Sequence, residues 1–141
     1  MDSIDEIGRR SPTLCNGSLS GLTVPVPAYD RSNLRVGIVH IGVGGFHRAH
    51  EAVYLDRLMN KGHAFDGGIG GMGVLPSDGA MRDAMASQDY LYTLVVKHPD
   101  GSTEARVIGS IIDFLHAPDD QGCAQVMPSW LQSLGARNRS V

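Results

Sequence analysis

Cysteine is nearly absent. Cys15 and Cys123 are the only two in 141 residues. They lie far apart and form no C-x-x-C pair, so they read as free thiols in a reducing cytoplasm. Basic clusters are missing too: no block of five or more lysines and arginines occurs. The net charge is −3 and the pI near 6.0. Neither nucleic acid nor a membrane surface is therefore an expected partner. No apolar run approaches the roughly 18 residues that a membrane helix needs. The acidic opening MDSIDEIGRR has no apolar signal core. The expected location is cytoplasmic. The 18 glycines follow no G-x-y period, which excludes collagen and leaves tight turns. No internal repeat is visible, and the length fits one domain of about 150 residues.

What is present is an alternation of strand and helix signals. Residues 1–33 carry scattered Ser, Gly, Pro and Asn and read as an irregular arm, with Val24-Pro25-Val26-Pro27 extended. Arg35 to Ile41 is a short run rich in β-branched residues, as in a buried parallel strand. Helical periodicity follows from about Phe46 to Lys61. Ala49, Ala52, Val53, Leu55 and Met59 lie on one side, Asp56 interrupts them, and Gly62 is placed to end the helix. Gly67 to Leu75 reads as a second strand whose glycines imply close backbone packing. Pro76-Ser77-Asp78 opens a second helix. Tyr90–Lys97 and Thr103–Ile112, joined by Pro99-Asp100-Gly101, predict a β-hairpin. A last helix is attempted over 121–134, with Pro128 against it. The fold class is α/β: a partial, Rossmann-type doubly wound domain with a hairpin, over 34–141, preceded by the arm.

The turn between the first strand and helix carries the chemistry. Gly42 permits a sharp turn, and Gly44 lets a pyrophosphate approach the backbone. The helix start offers unpaired N–H groups and partial positive charge. Gly42-Val43-Gly44-Gly45-Phe46-His47 departs from the G-x-G-x-x-G fingerprint only in its last residue. On the residues alone, a dinucleotide site and a purely structural turn both stand. Arg48 can reach a phosphate or remain a solvated surface residue. His47 is expected to pack beside the turn. His47 and His50 share a helix face, but no third ligand has suitable spacing, so no metal site is expected. A ribose-binding carboxylate belongs at the end of the second strand. Asp78 is the candidate, and its other reading is a helix N-cap.

Three blocks, PVPAYDRSNLRVGIVHIGVGGFHRAHEAVYLDRL, GMGVLPSDGAMRDAMASQDYLYTLV and EARVIGSIIDFLHAPDD, together resemble the N-terminal part of the mannitol dehydrogenase family. These long-chain polyol dehydrogenases include the hexuronate reductases, and the likeness runs from about Thr23 to Asp120. A histidine in place of the third glycine is usual in that family. The resemblance implies metal-independent, NAD-dependent oxidation of a polyol to a ketose, for example mannitol to fructose. Gly42, Val43, Gly44, Gly45, Phe46, His47, Arg48 and Asp78 would hold the cofactor.

The family's general base is a lysine in a Lys-x-x-x-x-Asn-x-x-His motif of a second, helical domain. The only lysines here, Lys61 and Lys97, lie in no such motif, so no catalytic residue is carried over. Beyond Asp120 the segment GCAQVMPSWLQSLGARNRSV departs from the family pattern. It is read as the non-family end of a truncated or frameshifted product. Such a half domain is expected to be inactive alone and prone to association, since apolar edges would be uncovered. The alternatives are a hexuronate reductase-type member and a nucleotide-binding fragment without catalysis. Which polyol is used, and the oligomeric state, are not legible.

Overall fold

A computed structural model of the chain describes residues 13–118. Its main sheet has three parallel strands: β1 (Val36–Ile41), β2 (Gly68–Gly73) and β5 (Ile111–His116), in the order β1-β2-β5. Helices α1 (Gly45–Ala49) and α2 (Glu51–Asn60) connect β1 to β2. Helix α3 (Asp78–Ala86) and an antiparallel hairpin, β3 (Tyr92–Lys97) with β4 (Thr103–Ile108), connect β2 to β5. The attempted helix over 121–134 lies outside the described residues.

β1 and β2 form where β-branched and glycine-rich runs are expected. The glycines of β2 answer to close packing. A Cβ on Gly71 would collide with Val43 Cγ2, and one on Gly68 would lie 2.7 Å from the Arg35 carbonyl oxygen. Residues without side chains there let the first turn and its neighbouring strand settle onto β2. The hairpin turn also follows its sequence: Gly101 takes φ +85°, and Asp100 Oδ1 accepts the Ser102 N–H at 2.8 Å.

The helix expected over Phe46–Lys61 is broken at His50, which has φ −124° and ψ −76°. The cause is local. His50 Nδ1 lies 2.9 Å from the Phe46 carbonyl oxygen, the same acceptor that its own N–H reaches at 3.1 Å. The two rings stack at 4.2 Å. A side chain competing for a ladder carbonyl bends the helix. Gly62, with φ +84°, ends α2 as expected. Its N–H reaches Met59 O and the His63 N–H reaches Leu58 O, the paired bonds of a Schellman ending.

The expected return strand Thr103–Ile112 is in fact two strands in different sheets. The chain leaves the hairpin at Ile108 and enters the parallel sheet at Ile111. Gly109 and Ser110 make that transfer. The Gly109 N–H donates to Asp56 Oδ1 at 3.0 Å, and Ser110 Oγ donates to the Ala52 carbonyl at 2.5 Å. Both bonds anchor the crossing point to α2, so a period-2 pattern running through it conceals the change of sheet.

The main core lies between the sheet and the helices. Ile69, Ile111 and Phe114 from the strands meet Ala52, Val53 and Leu55 of α2, Met85 of α3, and Tyr92 and Ile108 of the hairpin. Met72 and Leu115 form a smaller cluster with Val36 and Val39. The arm is irregular apart from 3-10 turns at Asn16–Gly21 and Arg31–Asn33, yet it is tied down. Arg31 donates to the carbonyls of Asp89, Gly109 and Ile111, and Val107 N–H donates to the Pro25 carbonyl.

Candidate functional site

The three parallel strands run in one direction, so Ile41, Gly73 and His116 end at the same edge of the sheet. In open α/β sheets this carboxyl edge is where ligands bind. The Gly42 N–H donates to the Met72 carbonyl at 2.7 Å, closing the turn onto β2. Gly42 has φ +86°, a left-handed conformation natural to glycine. A Cβ on Gly42, Gly44 or Gly45 would meet nothing within 4 Å. The space over this backbone is open, and any side chain there would fill it. α1 begins at Gly45, and first-turn N–H groups have no partners within a helix. The residues thus fit a dinucleotide's diphosphate.

The other candidates divide. Val43 is 5% exposed and belongs to the core, so only its backbone faces the turn. Phe46 is 79% exposed at the mouth of the turn. Arg48 turns inward: its guanidinium carbon is 5.9 Å from the Tyr92 ring centroid, and the Tyr92 hydroxyl donates to the Arg48 carbonyl at 2.6 Å. Neither a solvated surface arginine nor an outstretched phosphate ligand describes that pose.

Asp78 is not the N-cap of α3. It is the first residue of the helix, Ser77 holds the cap position, and Asp78 Oδ2 accepts the N–H groups of Val74 and Leu75, both at 3.0 Å. A Cβ on Gly73 would lie 2.5 Å from Asp78 Cβ, so Gly73 is what allows the carboxylate to sit against the end of β2. Asp78 closes the β2–α3 loop and stands at the edge that the glycine turn shares.

His47 is buried beside the turn, stacked on His40 with centroids 3.8 Å apart. Burial, and then the neighbouring His40, hold its pKa below the usual imidazole range against the pull of Glu51. His50, the expected face-mate of His47, is instead occupied with Phe46. His40 and Glu51 were not singled out by the sequence, because neither stands at a motif position. Two exposed apolar residues at the sheet edge, Val74 and Leu75, were also missed. The Leu75 carbonyl lies 2.8 Å from His116 Nε2.

A parallel sheet entered through a glycine turn, with helices on the crossovers and open space over the turn, defines a Rossmann-type α/β domain. Residues 36–131 match the family described as the mannitol dehydrogenase Rossmann domain, and the chain belongs to that family. The match continues past Asp120, where the sequence was expected to diverge. Mannitol 2-dehydrogenase of Pyricularia oryzae is 50% identical over 105 residues, 74% of this chain and 21% of that protein. Mannitol 2-dehydrogenase of Neosartorya fischeri is 56% identical over 102 residues, 72% of this chain and 20% of its own length. The solved Pseudomonas fluorescens mannitol 2-dehydrogenase, a ternary complex with NAD and D-mannitol, superposes with a TM-score of 0.76 at 47% identity. It covers 84% of this chain and 24% of that one. A substrate-free D-sorbitol dehydrogenase gives a TM-score of 0.74 at 33% identity, with 85% and 24% covered. The chain spans about a fifth of the length of the curated relatives it matches.

Proposed function

We propose that this chain is the NAD-binding part of a mannitol 2-dehydrogenase-like oxidoreductase that converts a polyol and NAD to a ketose and NADH. The observation that carries this reading is the open backbone of Gly42, Gly44 and Gly45 at the carboxyl edge of the sheet. The turn receives the diphosphate. Asp78, the first residue of α3 and packed against the end of β2, would accept the ribose 2′-hydroxyl and repel a 2′-phosphate, which favours NAD over NADP. The bound nicotinamide supplies hydride acceptance. The polyol hydroxyl needs a base, and none is assigned to this chain: Lys61 and Lys97 are both exposed, at the ends of α2 and β3. Binding without turnover is the expected behaviour of the chain alone. The substrate is a small polyol. Among the described residues no helix is long and apolar enough to cross a membrane, and the two unpaired-reading thiols support a cytoplasmic setting.

Calorimetric titration of NAD into the purified chain tests the reading. Saturable heat in the micromolar to millimolar range supports it, and no heat at millimolar NAD removes it. Asp78→Asn keeps the loop-closing oxygen while removing the charge. It should lower the NAD to NADP affinity ratio by roughly tenfold, the scale of about 1.4 kcal/mol. An unchanged ratio would leave Asp78 as a loop closure only. Mannitol oxidation by the chain alone would overturn its assignment as catalytically incomplete.

A further inference from the structure

The glycine turn is fastened from below at its first residue. The Gly42 N–H is held by the Met72 carbonyl, and the Gly42 carbonyl oxygen lies 2.7 Å from His40 Nδ1. A carbonyl only accepts, so His40 Nδ1 carries a proton and donates to it. No peptide among the described residues is cis, so the Val43 N–H leaves the same planar unit on the side opposite His40. The ring thereby sets which way that N–H points. His40 also stacks on the buried His47, with centroids 3.8 Å apart. Both rings meet one oxygen: Glu51 Oε2 is 3.4 Å from His40 Nε2 and 3.4 Å from His47 Nδ1. Glu51 is thus the partner of both. In the neutral His40 ring Nε2 is a lone pair, and it faces that carboxylate with no hydrogen between them. A second proton on His40 turns this repulsion into a charge-assisted hydrogen bond.

We infer that His40 is a positioning residue for the diphosphate turn, and that it takes up a proton against Glu51 when the cofactor binds. This role rests on the reading of the turn as a diphosphate site. Only one of the two rings can be charged, because imidazolium ions stacked at 3.8 Å repel each other. Burial, and then His40, hold the pKa of His47 below the usual imidazole range. That leaves His40, whose side chain is 33% exposed, to carry the charge. The other charged groups facing the pair are Glu51 of α2, which favours the proton, and Arg48 of α1, which opposes it. From the sheet, β2 presents Gly71 beside His40 and β5 presents Phe114 beyond it, and neither titrates. Without the proton, Glu51 leaves a net negative charge under the turn; the proton cancels it. A diphosphate is anionic and so favours the protonated cluster. By linkage, NAD affinity falls as pH rises through the histidine range. A charged donor also polarises the Gly42–Val43 peptide more strongly, which makes its N–H the better donor to a phosphate oxygen.

The test is calorimetric titration of NAD into the chain at intervals from about pH 5.5 to about pH 8.5, which spans the imidazole range. Wild-type affinity should be roughly fivefold higher at the acid end, the scale of one partly screened charge. The side-chain amide of His40→Asn offers an N–H where Nδ1 stood but does not titrate. This variant should keep the alkaline affinity within about twofold and lose the pH dependence. His40→Leu has no donor for the Gly42 carbonyl and should bind roughly tenfold more weakly throughout. Glu51→Gln removes the negative charge, so at about pH 8.5 it should bind as tightly as the wild type does at the acid end. His50→Gln, His63→Gln and His98→Gln should retain the wild-type profile. Circular dichroism checks that each variant is folded. A flat wild-type profile, a wild-type profile in His40→Asn, or undiminished binding by a folded His40→Leu would overturn the role of His40 alone. No binding by the wild type at any pH would overturn the cofactor reading, and this role with it.

Discussion

Two buried polar groups on the same helical connection have opposite environments. Asp56, in α2, is fully buried and surrounded by donors. It accepts the Tyr29 hydroxyl at 2.6 Å, the Gly109 N–H at 3.0 Å and the Asn60 side-chain amide at 2.9 Å, and Arg106 stands 3.8 Å away. His47, nine residues earlier in α1, is nearly as buried, but its ring nitrogens have only the Glu51 carboxylate at 3.4 Å. Satisfied buried polar groups fix a fold, while unsatisfied ones store free energy that a ligand can release. The Asp56 end binds arm, helix and hairpin crossing into one unit. The His47 end lies under the glycine turn, whose backbone is open.

Removing the satisfied group should have the largest effect. Asp56→Ala strands the Tyr29 hydroxyl, the Gly109 N–H and the Arg106 charge. It is expected to cost about 3–5 kcal/mol in urea unfolding; a loss under 1 kcal/mol would show that the network is not what joins the arm to the domain. Gly71→Ala follows, at about 1–3 kcal/mol, because its Cβ would strike Val43 and push the turn off β2. Stability and NAD affinity should fall together in that variant.

Tyr29→Phe should cost about 1.5–3 kcal/mol at neutral pH, the scale of a hydrogen bond to a charged group. It also carries a pH signature. Burial, and then the Asp56 carboxylate, raise the phenol pKa well above its ordinary value of 10.0. A group whose folded pKa is raised contributes stability that is complete below its unfolded pKa and is lost as pH rises through the folded value. The wild type should therefore lose stability above about pH 10, and Tyr29→Phe should lose less of it there. Burial raises Tyr92 likewise, so a residual alkaline loss is expected in the variant. The smallest effect on stability belongs to the open end. A Cβ on Gly44 meets nothing, and its backbone is extended, with φ −77° and ψ 179°. Gly44→Ala should alter stability by less than about 0.5 kcal/mol while reducing NAD affinity at least tenfold. A Gly44→Ala chain that binds NAD normally would break the contrast between the two regions.

Much of this fold was legible from residue patterns. The β-branched run of β1, the glycine that ends α2 and the Pro99-Asp100-Gly101 turn each act through their own backbone preferences, so neighbours in sequence suffice to read them. Asp56 looked like a flaw in an apolar helix face, because its partners are 27 residues before it and about 50 after it. The change of sheet at Gly109 was hidden for the same reason: strand propensity reports extension, not which strand is alongside. Asp78 packs against the end of β2, and its bonds to Val74 and Leu75, which the sequence does not show, depend on Gly73 giving it room.

The sequence by itself determined the glycine turn, the strand and helix that flank it, and the family to which that combination belongs, because these rest on local dihedral freedom and on spacing. Only the tertiary structure decided what lies on either side of the turn. Above it, open space remains because no side chain from any other described element enters. Below it, parallel pairing and the break at His50 bring His40, His47 and Glu51 within reach of one another. Spacing along the chain does not encode that meeting, since its distances are set by packing across three elements.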